Sequence, residues 1–182
     1  MLTRRDFEII EFLDQYKVAS TSTIQTFFFP SLSATRKRLK AMHEMNKIKR
    51  IRDNINNEYI YFTKRPKQMN HSASVTSAYS YLIKNYNLQK FKLEPSMGSI
   101  RPDALFGVID NKNSFICCLE IELSNNIGKI KKYNTWIKSN EYKSYLPVTP
   151  MLLIYKNGLL SWYDFDSVCG EYKKYKEEEC SI

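Results

Sequence analysis

The run FICCLEIEL at residues 115–123 constrains the fold more than any other stretch of this chain. Its apolar residues are typical of a strand buried on both faces, yet Glu120 and Glu122 interrupt it. Side chains two residues apart on a strand project from the same face, and charged groups are costly to bury unless they are paired or bind a metal. The run therefore predicts a central strand whose two carboxylates need a cationic partner.

A third carboxylate, Asp103, follows Pro102 at the head of the preceding predicted strand, residues 104–109. The turn at residues 110–113 joins the two strands as a hairpin, so the three carboxylates are expected to converge. Grouped oxygen ligands suit Mg²⁺ or Mn²⁺, which activates water and stabilises the charge that develops on a phosphodiester. The predicted metal ligands are Asp103, Glu120 and Glu122. The alternatives are an ion pair of the glutamates with Lys129 or Arg101, or a face open to solvent.

The composition argues against a disordered chain and against a membrane-spanning one. Of the 182 residues, 43% are hydrophobic and 14% aromatic, which is enough to fill a core. No apolar run approaches the roughly 18 residues of a membrane span, and the first ten residues lack the apolar block of a signal peptide. We expect a cytoplasmic protein whose four cysteines, which show no CxxC spacing, are reduced thiols.

The positive charge is concentrated near the N-terminus. Residues 1–67 contain 14 Lys and Arg against 7 Asp and Glu, and the segment 33–52 contributes eight basic residues against one glutamate. A patch of this kind indicates a polyanionic partner, of which nucleic acid is the commonest. The alternative is a solvated basic helix without a ligand.

Three helices are predicted in this part of the chain. The first begins after the N-cap Thr3 with Asp6 as the acid of a capping box, and the second follows the Ser/Thr cluster at residues 20–23 and stops before Pro30. Ser33 is predicted to cap the third helix. The inward residues of this helix are predicted to be Thr35, Leu39 and Met42, which directs Arg36, Lys37 and Lys40 outward together.

An Asn-rich turn at residues 53–57 separates two strand-like runs, 47–52 and 58–62, and this pattern indicates a hairpin. Three helices and a hairpin are the order of a winged helix-turn-helix, whose third helix enters the major groove while the hairpin lies along the backbone or minor groove. The turn at residues 54–57 is expected near phosphates. The predicted DNA-binding residues are Ser33, Arg36, Lys37, Lys40, Lys49, Arg50, Arg52, Asn54 and Asn56. Arg36 is the candidate for binding guanine bidentately, and the lysines are expected to contact phosphate. A winged helix that binds protein is the alternative.

A polar, proline-containing segment at residues 64–70 predicts a boundary between a winged-helix domain, 1–66, and a second domain, 71–182. The second domain is predicted as helix, strand, strand, strand, helix and strand, with its second helix at residues 128–138. The charged residues after Asp164 are expected to form a surface helix or a frayed tail. The predicted fold class is α+β, with a small mixed sheet flanked by helices in the second domain.

The spacing of Pro102-Asp103 and Glu120-Ile121-Glu122 on successive strands resembles the PD-(D/E)xK nuclease pattern over residues 71–158. That resemblance implies a nuclease-like domain in which a lysine orients the attacking water. This chain departs from the pattern because Glu122 stands where the family usually has lysine. A lysine recruited from the next helix is the implied substitute, and the candidates are Lys129, Lys131 and Lys132.

The whole chain resembles the replication-relaxation family of mobile genetic elements. The matching stretches are Thr3 to Asp6, Phe28 to Pro30, Leu39, Arg101 to Ala104, Glu120 to Glu122 and Lys131 to Tyr133. The resemblance implies a role in the replication of a plasmid or other mobile element, in the relaxation step of conjugative transfer, or in their control.

These patterns support three functional hypotheses. The first is a protein that binds double-stranded DNA without needing a cofactor, as a monomer or as a homodimer on paired half-sites, with replication or transfer proteins as further partners. The second is a Mg²⁺- or Mn²⁺-dependent DNA endonuclease that uses Asp103, Glu120 and Glu122 with Lys129 or Lys132. The third is a protein-interaction scaffold with a degenerate nuclease-like domain. The sequence leaves open whether the acidic site is active.

Overall fold

The computed structural model describes residues 1–54, 56–110, 113–123 and 128–180. The chain divides into two compact units, the first ending at Lys84 and the second beginning at Asn85. Helices and sheets occur together, so the predicted α+β class is confirmed. Within the described residues, no helix combines the length and the apolar character needed to cross a membrane.

The first unit contains four helices and a three-stranded antiparallel sheet. Its elements are α1 (Arg4–Tyr16), β1 (Ala19–Ser20), α2 (Thr21–Phe28), α3 (Leu32–Glu44), β2 (Lys49–Asp53), β3 (Glu58–Phe62) and α4 (Met69–Asn85). The strand order in the sheet is β1-β3-β2. Three helices followed by a hairpin occur in the predicted order, and their assignment as a winged helix-turn-helix stays a prediction.

Hydroxyl side chains begin the first three helices. The capping box of α1 is present, with the backbone N–H of Thr3 donating to the carboxylate of Asp6 over 2.5 Å. Ser20 caps α2. The predicted cap of α3 was wrong by two residues, because the Ser31 hydroxyl accepts from the N–H of Ala34 and Ser33 lies within the first turn.

The predicted boundary at residues 66–71 was too early, because α4 packs within the first unit. Its first turns place Met69 and Ala73 against the buried cluster of Val18, Ile60 and Phe62. Further along the helix, the Tyr79 ring stacks on Tyr16 at a centroid distance of 5.3 Å, and Ser80 bonds to Thr26 at 3.1 Å. The polar segment at residues 64–70 is therefore a connection inside a unit together with the first two residues of α4.

The second unit is a six-stranded sheet in the order β4-β5-β6-β7-β8-β9. Its strands are β4 (Asn87–Leu93), β5 (Ala104–Asp110), β6 (Asn113–Ile121), β7 (Met151–Lys156), β8 (Leu159–Asp166) and β9 (Glu171–Glu179). Helix α5 (Gly128–Lys138) and a short 3-10 helix (Glu141–Ser144) lie between β6 and β7, which pair in parallel. The predicted order of elements is confirmed as far as β7. Residues 111 and 112 of the predicted turn lie outside the described residues.

Strand β9, with the last two residues of β8, replaces the helix or frayed tail predicted after Asp164. Strand β9 pairs antiparallel with β8, and its Tyr172 ring enters the core beneath α5. Lys176 lies over the rings of Tyr86 and Trp162, while most of the other charged side chains of the strand are exposed. Charged residues are common on edge strands, where they discourage pairing with other chains, so a charged composition is compatible with a strand here.

Candidate nucleic-acid interface and acidic cluster

Helix α3 presents a basic surface because its apolar residues occupy the opposite side. Thr35, Leu39 and Met42 are buried, as predicted. Arg36 and Lys37 are exposed and have neither a hydrogen bond nor an ion pair with any described residue. One turn beyond Arg36, Nζ of Lys40 lies 3.8 Å from Oε1 of Glu44. Both side chains are exposed to solvent, where ion pairs are weak. The outward cations of α3 are therefore available to a ligand.

Arg38 belongs to the structure of the unit and not to this surface. Its Nε donates to Oδ1 of Asp6 over 2.7 Å, and a second nitrogen contacts Oδ2 of the same carboxylate. Asp6 is fully buried, and the Arg38 hydrogen bond is the main reason why its pKa is lowered to about 2. This ion pair fixes α3 against the beginning of α1.

The β2–β3 hairpin supplies a second group of cations. Arg50 pairs in register with Tyr61, and Arg52 pairs with Tyr59, so these four side chains share one face of the sheet. The guanidinium carbon of Arg50 lies 4.2 Å from the centroid of the Tyr59 ring, and that of Arg52 lies 5.0 Å from it. Arg52 also donates to the side-chain oxygen of Asn57.

Helix α3 and the hairpin enclose a cleft of about 360 Å³, called here the basic cleft. It is lined by Thr21, Arg36, Lys40, Arg50, Arg52, Asn57, Glu58, Tyr59 and Tyr61. Four of these side chains are cations and one is a carboxylate. Since like charges repel, such a concentration of cations is favourable only when an anion or solvent compensates it.

The single carboxylate of the basic cleft is bound at the start of α2. The backbone N–H of Ser22 donates to Oε2 of Glu58 over 3.0 Å, and the Ser22 hydroxyl donates to Oε1 over 3.2 Å. A helix N-terminus attracts anions, and Glu58 occupies this one. An external phosphate would therefore meet the cations of α3 and β2 and not the N-terminus of α2.

The basic cleft brings together Arg36, Lys40, Arg50 and Arg52 from the predicted DNA-binding set. The other predicted residues, Ser33, Lys37, Lys49, Asn54 and Asn56, are exposed outside its lining. Asn56 bonds within the turn, donating from its side chain to Asp53 over 2.8 Å. Ile55, inside the predicted 54–57 segment, lies outside the described residues.

Sequence reasoning missed the part that Tyr59 plays in the basic cleft. The alternation of Arg50 and Arg52 on one strand with Tyr59 and Tyr61 on the next is visible in the sequence. Residues that alternate in this way across a hairpin face each other, which is the signal that would have revealed the contact.

The second unit contains a group called here the acidic cluster, in which the carboxylates of Asp103 and Glu120 both face the ammonium group of Lys129. Nζ of Lys129 lies 2.5 Å from Oε2 of Glu120 and 3.8 Å from Oδ2 of Asp103. It also donates to the backbone oxygen of Ile121 over 2.6 Å. Lys129 is thus the one of the three candidate lysines that reaches the carboxylates, while Lys131 and Lys132 are exposed on α5.

Glu120 is the buried member of the acidic cluster. Burial raises the pKa of its carboxyl, and the Lys129 ammonium opposes that shift. The hydroxyl of Tyr133 on α5 donates to Oε1 of Glu120 over 2.9 Å, and burial raises the pKa of Tyr133 itself. Asp103 accepts from the backbone N–H of Ile121 over 2.7 Å, so the two carboxylates are fixed to the same stretch of β6.

In the part of the chain that the structure describes, no group of three or more His, Cys, Asp or Glu is arranged to hold a metal, and the ligand set of Asp103, Glu120 and Glu122 stays a prediction. Strand β6 ends at Ile121, and Glu122 follows it with its backbone N–H bonded to Tyr155. Glu120 pairs with Lys129, which is one of the cationic partners that the sequence offered as an alternative to a metal.

Comparison with known proteins leaves the family open. No protein-family model, no curated protein and no solved structure matches this chain. The resemblance to the replication-relaxation family and to PD-(D/E)xK nucleases therefore stays a prediction from the residues quoted above.

Proposed function

We propose that the first unit binds double-stranded DNA, with α3 in the major groove and the β2–β3 hairpin along the backbone. The observation that carries this proposal is the basic cleft, where Arg36 and Lys40 from α3 and Arg50 and Arg52 from β2 line one cavity. Cations from two separate elements that face a common space are suited to a ligand with regularly spaced negative charges.

The affinity would come mainly from phosphate contacts. Six exposed or partly exposed cations are available on α3 and β2, and they are Arg36, Lys37, Lys40, Lys49, Arg50 and Arg52. If each neutralises one phosphate, the logarithm of the binding constant falls with the logarithm of salt concentration at a slope of about −5. Arg36, unpartnered among the described residues, is the best placed to bind a guanine edge with its planar guanidinium.

The biological setting is proposed on the sequence resemblance alone. We infer a role in the replication of a plasmid or other mobile element, in its conjugative transfer, or in their control. DNA binding is common to all three roles.

The test of DNA binding is a fluorescence-anisotropy titration of labelled duplex with wild type and with Arg36→Ala/Lys40→Ala. The double variant should bind at least about tenfold more weakly, since two charged contacts are lost. Lys173→Ala/Lys174→Ala is the matched control, because it removes the same charge from β9 in the second unit. Equal affinity of wild type and Arg36→Ala/Lys40→Ala would refute the assignment.

A second candidate function, DNA cleavage by the second unit, is favoured by the position of Lys129. Its ammonium lies within 4 Å of two carboxylates, and two carboxylates with a lysine are the residue types that the nuclease pattern uses. Mg²⁺ bound to Asp103 and Glu120 would supply a Lewis acid at a phosphodiester. The Lys129 ammonium now pairs with Glu120, so cleavage would require it to move from that carboxylate to the phosphate.

Incubation of the protein with supercoiled plasmid, with and without Mg²⁺ or Mn²⁺, tests this second function. The cleavage proposal predicts nicking that depends on the metal and that Glu120→Gln abolishes. Intact plasmid at protein concentrations that saturate the DNA would rule it out.

A further inference from the structure

Tyr59 lies where the two guanidinium groups of the hairpin meet. Its ring centroid is 4.2 Å from the guanidinium carbon of Arg50 and 5.0 Å from that of Arg52. A guanidinium over an aromatic face is attracted by the negative potential of the ring. One ring therefore holds two like charges that would otherwise repel each other.

The strand segment that carries Tyr59 is held by its neighbours. The Thr21 hydroxyl donates to the backbone oxygen of Tyr59 over 3.2 Å, and the ring of Tyr61 is 6.3 Å away on the same face of the sheet. Tyr61 is buried, so this face of the hairpin packs against the rest of the unit. Arg52 is further restrained by its hydrogen bond to Asn57.

This arrangement affects binding through entropy. A flexible arginine loses rotamer freedom when it binds a phosphate, and a side chain already ordered by its neighbours loses less. A planar guanidinium that is fixed beforehand also keeps the geometry required for a bidentate contact with phosphate.

We propose that Tyr59 is a positioning residue, which holds Arg50 and Arg52 as an ordered pair for the phosphates of the DNA backbone. This inference rests on the proposed DNA binding of the first unit. Tyr59 acts through the two arginines and contributes no charge of its own to the complex. It follows that the hairpin binds the backbone without regard to sequence, and that sequence dependence comes from α3.

The experiment measures the affinity of the full chain for labelled duplex at several salt concentrations. Tyr59→Leu should weaken binding about tenfold with an unchanged salt slope, because every charge remains while the order of two side chains is lost. Arg50→Ala/Arg52→Ala should lower the slope by about 2, because two phosphate contacts disappear. Tyr59→Phe, which keeps the ring, should restore the affinity lost in Tyr59→Leu.

A double-mutant cycle separates positioning from a general structural effect. In the Arg50→Ala/Arg52→Ala background, Tyr59→Leu should have no further effect, since nothing remains for the ring to position. Tyr175→Leu, at an exposed tyrosine of β9, is the matched control and should bind like wild type. Circular dichroism melting of each variant shows that it is folded.

The outcomes are distinguishable. If wild type does not bind duplex, the proposed function fails and this inference fails with it. If wild type binds and Tyr59→Leu binds equally well, only the inference is overturned. A Tyr59→Leu effect that persists without the two arginines overturns it as well.

Discussion

Removal of the buried ion pair between Asp6 and Arg38 should lower the stability of the first unit by an amount that follows from the structure. Asp6 completes the capping box of α1 through Thr3 and holds α3 through Arg38. Asp6→Asn keeps the shape of the side chain and removes its charge. The cap weakens, and the Arg38 guanidinium, whose side chain is 28% exposed, loses its only carboxylate partner among the described residues.

The pKa of Asp6 gives the size of the expected loss of stability. A carboxyl whose pKa falls from 3.8 to about 2 on folding stabilises the folded state by about 2 kcal/mol at neutral pH. Because the pKa is lower in the folded state, this contribution is complete above the unfolded value and is lost as the pH falls from about 4 to about 2. Asp6→Asn should therefore cost about 2 kcal/mol at neutral pH and much less at low pH.

Two spectroscopic signals allow the two units to be followed in the same sample. Both tryptophans, Trp136 and Trp162, lie in the second unit, whereas four of the five α-helices within the described residues lie in the first. Far-UV circular dichroism therefore reports mainly on the first unit and tryptophan fluorescence on the second. For a unit of this size, a loss of about 2 kcal/mol lowers the melting temperature by about 10 °C.

The expected result is a lower helix-monitored melting temperature for Asp6→Asn, with the fluorescence-monitored transition unchanged. The difference between variant and wild type should shrink as the pH falls below about 4. A helix-monitored stability within about 0.5 kcal/mol of wild type at neutral pH would refute the reasoning, because surface substitutions alone have effects of that size.

Three further predictions concern the second unit, the division between units and the helix cap. Lys129→Met should destabilise the second unit by about 3 kcal/mol at neutral pH, because Glu120 is left buried without its cation. The loss of stability should diminish at acidic pH as Glu120 takes up a proton. Urea unfolding followed by tryptophan fluorescence at neutral and acidic pH measures the two effects. A fragment ending at Lys84 should fold and bind duplex. A fragment ending at Lys67 should melt at a much lower temperature, because α4 no longer covers Ile60 and Phe62. Equal melting temperatures of the two fragments would contradict this. Ser31→Ala should cost about 1 kcal/mol in the helix-monitored transition and Ser33→Ala much less, because Ser31 is the cap of α3.

Much of the first unit could be predicted from the sequence, because its signals are local. The period of apolar residues in α3 and the Asn-rich turn gave the helix face and the hairpin. The cap of α3 was misplaced because Ser31 and Ser33 are both suitable residues, and only the hydrogen bond of Ser31 to Ala34 distinguishes them. The pairing of Arg38 with Asp6 joins residues 32 positions apart, which no local pattern reveals.

The second unit shows where composition is a poor guide. Strand β9 carries a charged sequence that resembles a helix or tail, and its strand conformation depends on pairing with β8 and on the burial of Tyr172. The sequence left the partner of Glu120 open between a metal, Lys129 and Arg101, and the ion pair with Lys129 joins residues nine positions apart on different elements. Lys129 was named among three candidates, and only the packing of α5 on the sheet selects it.

The most direct test of the central claim is the salt dependence of duplex binding by wild type and by a variant that removes all four cations of the basic cleft, Arg36→Ala/Lys40→Ala/Arg50→Ala/Arg52→Ala. Wild type should bind with a slope of about −5, and the variant should lose about 4 from that slope together with most of its affinity. The same affinity and slope for both proteins would show that the basic cleft does not bind DNA.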